Sequence, residues 1–458
     1  MSFWESGLVF NALMIAVLLL AAYGLRRFVP PLRAFGMPDS MVAGVLGLLL
    51  GPSVLGIMPL DIAALESIVY HGLAIVFIAV GLQKPPPGTM RKGAVSVVFG
   101  IPFFAVLQGA IGLGLVLLLT GILGETVHPG FGLLLPLGFN QGPGQALSMG
   151  KAWEASGLTN GAQVGLIMAA VGFAWAVFMG VPLVAWGRRK GWLSTEGQGS
   201  GAEHGAEEPM PEAEPGALEP ITGHIAMIGV VYAVTYGLIY AITSALEGKD
   251  QLVAMVWGFH FLIGAILALS IRQVLSRTFE TYPMHSGLLG RLGGLTVDVV
   301  TCAALAAIVI AVLQENLLPI VVITAVGGAV SLLLCVWLGR RAFPEAPFEH
   351  VVVLFGVTTG TLPTGLALLR IIDPELRGPA ASNVVLGATL AIVLGAPLLL
   401  VILPMPVANY PESFPEATWM AFGGVVAYLV FLGVLWRFVG PLRFHGPLTS
   451  FWPDPPEE

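Results

Sequence analysis

Two polar segments interrupt long apolar stretches of this chain, and they hold the side chains best suited to bind a small ligand. The first, 138–150, reads GFNQGPGQALSMG, and the second, 355–367, reads FGVTTGTLPTGLA. Glycine costs about 1 kcal/mol and proline about 3 kcal/mol inside a helix, so we expect a break in each segment. Both lack charged residues. This fits broken backbone that lines a transport site better than it fits the alternative, two ordinary extramembrane loops.

The polar groups of both segments suit a cation and a carboxylate. Unwound carbonyls and hydroxyls are ligands for Na⁺, and free N–H groups at helix starts bind anions. The alternative is that these groups only satisfy the broken backbone. Candidate substrate ligands are Asn140, Gln141, Gly142, Gly144, Gln145, Thr361, Thr364 and Asn383, and candidate Na⁺ ligands are Thr358, Thr359, Gln163 and Asp298.

Three ionisable residues lie within apolar stretches. Asp298 falls near the middle of 288–313, where a charge is costly and usually has a partner or a task. It is expected to bind a coupling cation, to relay a proton, or to pair with Arg291. His71 and His260 are interpreted as buried, neutral, hydrogen-bonded side chains rather than proton carriers.

Composition identifies the class of protein. The 458 residues are 56% hydrophobic and 10% charged, whereas soluble proteins have about 25% charged residues. The chain is therefore predicted to be a polytopic membrane protein. It has no basic cluster for nucleic acid, and the spacing of its residues matches no metal-dependent or Ser/His/Asp enzyme and no ATP-binding glycine loop. Its two cysteines, Cys302 and Cys335, are interpreted as packing residues.

Apolar stretches of about 20 residues predict the membrane spans. Five helices and one broken hairpin occur in each half, followed by one further helix. The predicted helices are 7–29, 41–58, 68–82, 93–123, 158–186, 223–245, 252–271, 288–313, 317–338, 379–403 and 418–439, with hairpins at about 131–153 and 348–370. The predicted domains are a first repeat (1–187), a disordered cytoplasmic linker (188–222), a second repeat (223–404), and an extra helix with a tail (405–458).

The basic residues predict the orientation. With the N-terminus outside, only Lys151 and Lys249 of the 20 basic residues fall on the outer side, as the positive-inside rule requires. Each hairpin must then leave the membrane on the side from which it entered. The predicted fold is an all-α polytopic membrane protein with two inverted repeats of five transmembrane helices, each with a reentrant hairpin, plus one C-terminal transmembrane helix.

The chain resembles the bacterial sodium/glutamate symporter family. The similar segments are PDSMVAGV (38–45), LAIVFIAVGL (73–82), QGAIGLG (108–114), NQGPGQA (140–146) and GTLPTGLA (360–367). The resemblance implies Na⁺-coupled uptake of glutamate or a related anion by an elevator-type movement, in a homodimer in the bacterial inner membrane. A cation/proton antiporter using Asp298 is an alternative, since LLLGPSVLG (48–56) resembles a segment of that family. A membrane scaffold without transport activity is another.

Overall fold

The protein is built from membrane-length helices. The computed structural model describes residues 7–29, 36–84, 91–124, 126–194, 218–408, 410–444 and 447–453, which form helices and turns without a strand. In these ranges, 11 helices are long and apolar enough to cross a membrane. This confirms the prediction of an all-α polytopic membrane protein.

Sixteen helices follow one another in the described ranges. The first half contains α1 (Gly7–Phe28), α2 (Asp39–Leu50), α3 (Ile62–Leu82), α4 (Lys92–Leu123), α5 (Gly130–Pro136), α6 (Pro143–Glu154) and α7 (Gly161–Arg189). The second half contains α8 (Pro220–Ser244), α9 (Asp250–Gly258), α10 (His260–Thr278), α11 (Ser286–Ala306), α12 (Ile310–Glu315), α13 (Leu317–Ala342), α14 (Pro347–Leu369), α15 (Pro379–Pro397) and α16 (Glu416–Val439). Turns of π geometry extend α5 over Leu137–Gln141 and α15 over Leu398–Ile402.

The second helix is shorter than predicted. A helix over 41–58 was expected from hydropathy, but α2 ends at Leu50 and the chain turns from Gly51 onward. Gly51 and Pro52 both disfavour a helix interior, so the prediction from hydropathy alone is wrong there. The next helix begins where Asp61 Oδ1 accepts a hydrogen bond from Ala63 N at 2.9 Å, a typical N-cap.

Two predicted helices of the second half are each interrupted. The predicted 252–271 helix breaks at Phe259, between α9 and α10, and the predicted 288–313 helix breaks at residues 307–309, between α11 and α12. Side chains distant in sequence donate hydrogen bonds to backbone carbonyl groups at these breaks. Ser148 donates to Gly258 O at 2.8 Å, and Gln163 donates to Ala307 O at 3.1 Å. No proline marks either break, which is why the sequence did not reveal them.

The helices pack in two groups. Around α7, the helices α4, α5, α6, α13, α14 and α15 pack against one another, and α1, α2, α3, α10 and α11 form a second group. Helix α16 packs on α4. The predicted linker, 188–222, falls largely on residues 195–217, which lie outside the described ranges. The domain limits stay predictions.

Candidate functional site: the junction of two helical hairpins

Helix α14 folds back on itself at its predicted break. Gly360 has φ −155° and ψ 20°, and Thr361 has φ 76° and ψ 168°, so neither residue is helical. A Cβ atom placed on Gly356 would lie 2.6 Å from Cα of Gly365. Nine residues of straight helix would separate these positions by about 13.5 Å. Residues 347–359 and 362–369 are therefore the two arms of a hairpin, which we call the second hairpin.

The first polar segment also forms a hairpin. Gly142 separates its arms with φ 98° and ψ 177°, a conformation that favours glycine. Pro143 follows at the first position of α6, where its missing N–H is not needed. His128 Nε2 lies 3.1 Å from Ser156 O, so the chain returns to the place from which it left. We call α5, its π turn, Gly142 and α6 the first hairpin.

Helix α7 shows how the two hairpins are arranged. Its glycines let other backbone and ring atoms approach closely, and their neighbours change in order along the helix. A Cβ atom added to Gly165 would lie 2.2 Å from Ala146 O, and one added to Gly172 would lie 2.4 Å from Thr359 O. A Cβ atom added to Gly180 would lie 2.7 Å from a Leu368 methyl group, and one added to Gly187 would lie 2.0 Å from the Phe348 ring. The first hairpin thus lies along the start of α7 and the second along its end. Their tips come together near Gly172.

The two breaks are in direct contact. A Cβ atom placed on Gly142 would lie 2.5 Å from Cγ2 of Thr361, so only a residue without a side chain fits there. Pro143 is buried, whereas Thr361 is half-buried and Pro363 is exposed. The tip of the first hairpin is therefore enclosed, while the second arm of the second hairpin borders open space.

Amide side chains hold the hairpin tips against α4. Asn140 Nδ2 donates to Ile101 O at 3.0 Å. Gln108 Nε2 donates to Thr358 O at 2.8 Å and to Ser331 Oγ at 3.1 Å. Gln108 therefore joins α4, α13 and the second hairpin.

Two buried glutamines beside the tips have free acceptor atoms. Gln145 is 2% exposed and Gln108 is fully buried. In the described part of the chain, neither Oε1 atom has a hydrogen-bond partner. Buried polar atoms are rarely left unpaired, and an unpaired oxygen is suited to accept from an ammonium group or to bind a cation.

The helix ends at the junction carry opposite partial charges. Helix α6 starts at Pro143, so N–H groups of its first turn lack intrahelical acceptors and favour an anion. The first arm of the second hairpin ends near Thr359, with carbonyl groups that favour a cation. The hydroxyls of Thr358 and Thr359 both donate to Phe355 O, at 3.3 and 2.7 Å, which leaves their lone pairs available. Such a junction can bind an anion and a cation side by side.

Three of the predicted ligands lie away from this junction. Gln163 donates to Glu66 Oε1 at 2.5 Å and accepts from Val309 N at 2.9 Å, about 14 Å along α7 from Gly172. Asn383 Nδ2 contacts His350 Nε2 at 3.0 Å, about 15 Å along the first arm from Gly360.

Asp298, the third, is exposed on α11. It shares a helix face with Cys302, which lies beside Gly44 of α2. No ion pair joins it to Arg291 among the described residues, whose ion pairs involve other residues. The described residues also contain no group of three or more His, Cys, Asp or Glu that could hold a metal ion. The predicted Na⁺ ligands are therefore not assembled into one site.

The remaining predicted ligands lie at or beside the tips. Gln141 is half-buried and its Nε2 is 3.4 Å from Asn140 Oδ1. Gly144 packs on Leu73, whose Cδ1 would be 2.8 Å from an added Cβ atom. Thr364 Oγ1 lies 4.0 Å from Met41 Sδ, so α2 covers the second arm there.

Sequence reasoning missed a polar cavity at the base of the first hairpin. It has a volume of about 350 Å³ and is lined by Glu66, Lys151, Glu154, Asn160 and Gln163, among others. Lys151 Nζ pairs with Glu154 Oε2 at 2.6 Å. Because Glu66 and Lys151 are far apart in sequence, no local pattern signals the cavity. It lies about 14 Å along α7 from the hairpin tips.

No protein-family model matches the chain, and a search of curated proteins finds no match either.

Proposed function

We propose that the protein is a secondary active transporter that carries a small solute through the junction of the two hairpins. The observation that carries the proposal is the contact between Gly142 and Thr361. Interrupted helices that meet inside a membrane protein expose helix ends to a solute without exposing backbone to lipid. A scaffold protein has no need of such a junction, which is costly to build in a membrane.

The solute we propose is glutamate or a related amino-acid or carboxylate anion, taken up with Na⁺. The free N–H groups at the start of α6 suit a carboxylate, and the carbonyl end near Thr359 suits a cation. The unpaired oxygen of Gln145 suits an α-ammonium group. The resemblance to sodium/glutamate symporters supports the same substrate class.

The movement we propose is of the elevator type. The hairpins pack with α4, α7, α13 and α15, and they meet the α1–α3, α10 and α11 group along a separate surface. Polar contacts cross that surface at Gln163, which bonds to Glu66, Ala307 O and Val309 N, and at Ser148, which lies beside His260. Sliding of one group past the other would carry the hairpin tips between the two sides.

We also propose a reentrant, inverted arrangement in a bacterial inner membrane, with the N-terminus outside. Two contacts between segments that are both predicted to lie inside support this orientation. Arg272 donates to Gln83 O at 2.6 Å, and the N–H of Arg443 donates to Arg341 O at 2.8 Å. A homodimer is proposed from the family resemblance alone.

Uptake into liposomes tests the proposal. Purified protein should accumulate labelled glutamate, or a related anion, only under an inward Na⁺ gradient. Uptake that ignores Na⁺ and collapses with a proton gradient would favour proton coupling instead. Loss of cation/proton exchange on Asp298→Asn alone would favour the antiporter. An absence of any uptake or exchange, with folded protein in the membrane, would favour the scaffold.

A further inference from the structure

A second polar cluster lies where the first hairpin meets the break between α9 and α10. Its centre is His260, which is 1% exposed. The ring of Tyr70, on α3, stacks on the imidazole with centroids 3.7 Å apart. Ser148, on α6, donates to Gly258 O at 2.8 Å, and its Oγ lies 3.4 Å from His260 Nδ1.

Both ring nitrogens of His260 face carbonyl oxygens. Nδ1 lies 3.1 Å from Trp257 O, and Nε2 lies 2.8 Å from Tyr70 O. A neutral imidazole has one N–H group, whereas the imidazolium has two. Only the protonated ring can therefore donate to both carbonyls at once.

The other buried histidines of the described ranges have a different environment. Each has an acceptor beside one ring nitrogen and a donor beside the other, so the neutral ring satisfies both. For His128, the acceptor is Ser156 O at 3.1 Å and the donor is Gly130 N at 3.0 Å. For His224, they are Pro220 O at 2.6 Å and His285 N at 2.7 Å. For His350, they are Ala346 O at 2.8 Å and Asn383 Nδ2 at 3.0 Å. Among the buried histidines of the described ranges, His260 is thus the one with a carbonyl oxygen beside each ring nitrogen, as a doubly protonated ring requires.

The neutral form has its own arrangement. With Nε2–H donating to Tyr70 O, the free Nδ1 lone pair can accept from the Ser148 hydroxyl, which must then leave Gly258 O. Proton binding returns Ser148 to the shorter bond with Gly258 O, 2.8 Å against 3.4 Å to Nδ1. It also directs Nδ1–H to Trp257 O, so the cluster gains one hydrogen bond. The partner of Ser148 therefore depends on the charge of His260.

We propose that His260 is a proton-binding site whose protonation fastens the second arm of the first hairpin to the break between α9 and α10. Burial opposes the charge, and the two carbonyls and the stacked Tyr70 ring favour it. The proposal stands apart from the transport proposal, because it concerns a contact between helices and requires no solute.

The other titratable groups around His260 are few. His71, on α3, has its Nδ1 2.6 Å from the hydroxyl of Tyr232 on α8. On α6, Lys151 and Glu154 lie three and six residues beyond Ser148, where they pair with each other. Asp250 starts α9, two turns before the break. In the described part of the chain, no ion pair joins a carboxylate to His260, so the carbonyls are its main charge partners.

Hydrogen exchange of the full-length protein in detergent micelles tests the proposal without a substrate. Amide exchange of 143–154 is followed by mass spectrometry from about pH 8 to about pH 4.5, the range in which a histidine titrates, and corrected for intrinsic rates. Protonation should slow the corrected exchange about fivefold, the effect of about one net hydrogen bond. His260→Gln should abolish this response, and the control His350→Gln should keep it.

Two further measurements keep the test decisive if His260→Gln does not fold. NMR of protein labelled with ¹⁵N-histidine should show one buried imidazole gaining a second proton within this pH range. Ser148→Ala should keep that titration while losing the exchange response of 143–154. A response unchanged in His260→Gln, or in Ser148→Ala, would overturn the proposal. So would buried imidazoles that all stay neutral to about pH 4.5.

Discussion

Gly142 and Thr361 both have positive φ angles, 98° and 76°, and each is the break of its own hairpin. An added Cβ atom on Gly142 would be 2.5 Å from Cγ2 and 3.9 Å from Cβ of Thr361. Two unusual backbone conformations, 219 residues apart in a 458-residue chain (361 − 142), are therefore held against each other. Strained conformations persist where the surrounding structure determines them, and they cluster at functional sites.

Gly142→Ala should impair the junction both by strain and by collision. The unfavourable φ costs about 1–3 kcal/mol, and the new methyl group collides with Thr361. We expect uptake in liposomes to fall at least about tenfold. Gly124→Ala is the matched control, because Gly124 has φ 69° but nothing within 4 Å of an added Cβ atom. Equal uptake by the two variants would contradict a role for the contact.

Gln141→Ala and Thr361→Ala should each reduce uptake about tenfold or more with protein level unchanged. Both side chains are half-buried at the junction, and a lost polar contact to a charged solute is worth about 1.5–3 kcal/mol. Thr389→Ala is the control, since its exposed hydroxyl donates to Val385 O of its own helix, at 3.0 Å. If neither junction variant lowers uptake while both express normally, the hairpin tips do not bind the solute.

Gln163→Ala should lower stability through the break between α11 and α12. The change removes bonds to Ala307 O, Val309 N and Glu66 and leaves buried backbone groups unpaired. We expect a loss of about 2 kcal/mol, seen as a lower melting temperature in detergent. The control Gln273→Ala changes an exposed glutamine of α10. A melting temperature equal to that of the control would show that water replaces these bonds.

Acid should weaken the base of the first hairpin through His128. Burial lowers the pKa of His128 to about 4, partly offset by its hydrogen bond to Ser156 O. The unfolded pKa is about 6.5, so the unfolded chain takes up the proton first. The contribution of the neutral His128 ring to the free energy of unfolding is complete above about pH 6.5. It is lost as the pH falls towards 4, by on the order of 3 kcal/mol. Melting temperatures measured across this range should fall less steeply for His128→Gln, and an identical slope would contradict the assignment.

Much of the architecture was predictable because local patterns determine it. Hydropathy located the long helices, and the clusters of Gly and Pro located both breaks to within a few residues. The helix interruptions at Phe259 and at residues 307–309 were not predictable. Ser148 and Gln163 satisfy them from distant parts of the chain, and no local pattern records that.

The candidate site was predictable in part for the same reason. Residues within the hairpins are at the junction, because the break itself brings them there. Gln163 and Asn383 were predicted from their place on the helices that follow the hairpins, and Asp298 from its charge within an apolar stretch. Neither feature fixes the depth or the facing of a side chain. Asn383 instead contacts His350, beside Gly93, where an added Cβ atom would lie 2.3 Å from Asn383 Nδ2. The possible roles of Gln163, Asn383 and Asp298 in binding stay predictions.

A disulfide between residues 142 and 361 tests the central claim most directly. The Cβ separation of 3.9 Å suits a disulfide, whose Cβ atoms lie about 3.5–4.5 Å apart. The variant carries Gly142→Cys and Thr361→Cys, with Cys302 and Cys335 replaced by alanine. Ala79→Cys with Gly293→Cys, also 3.9 Å apart, is the positive control between α3 and α11. We predict that mild oxidation of membranes joins 142 to 361, seen as a loss of thiol labelling that reduction restores. Thiols at 142 and 361 that stay free under oxidation, while the control pair cross-links, would contradict the account.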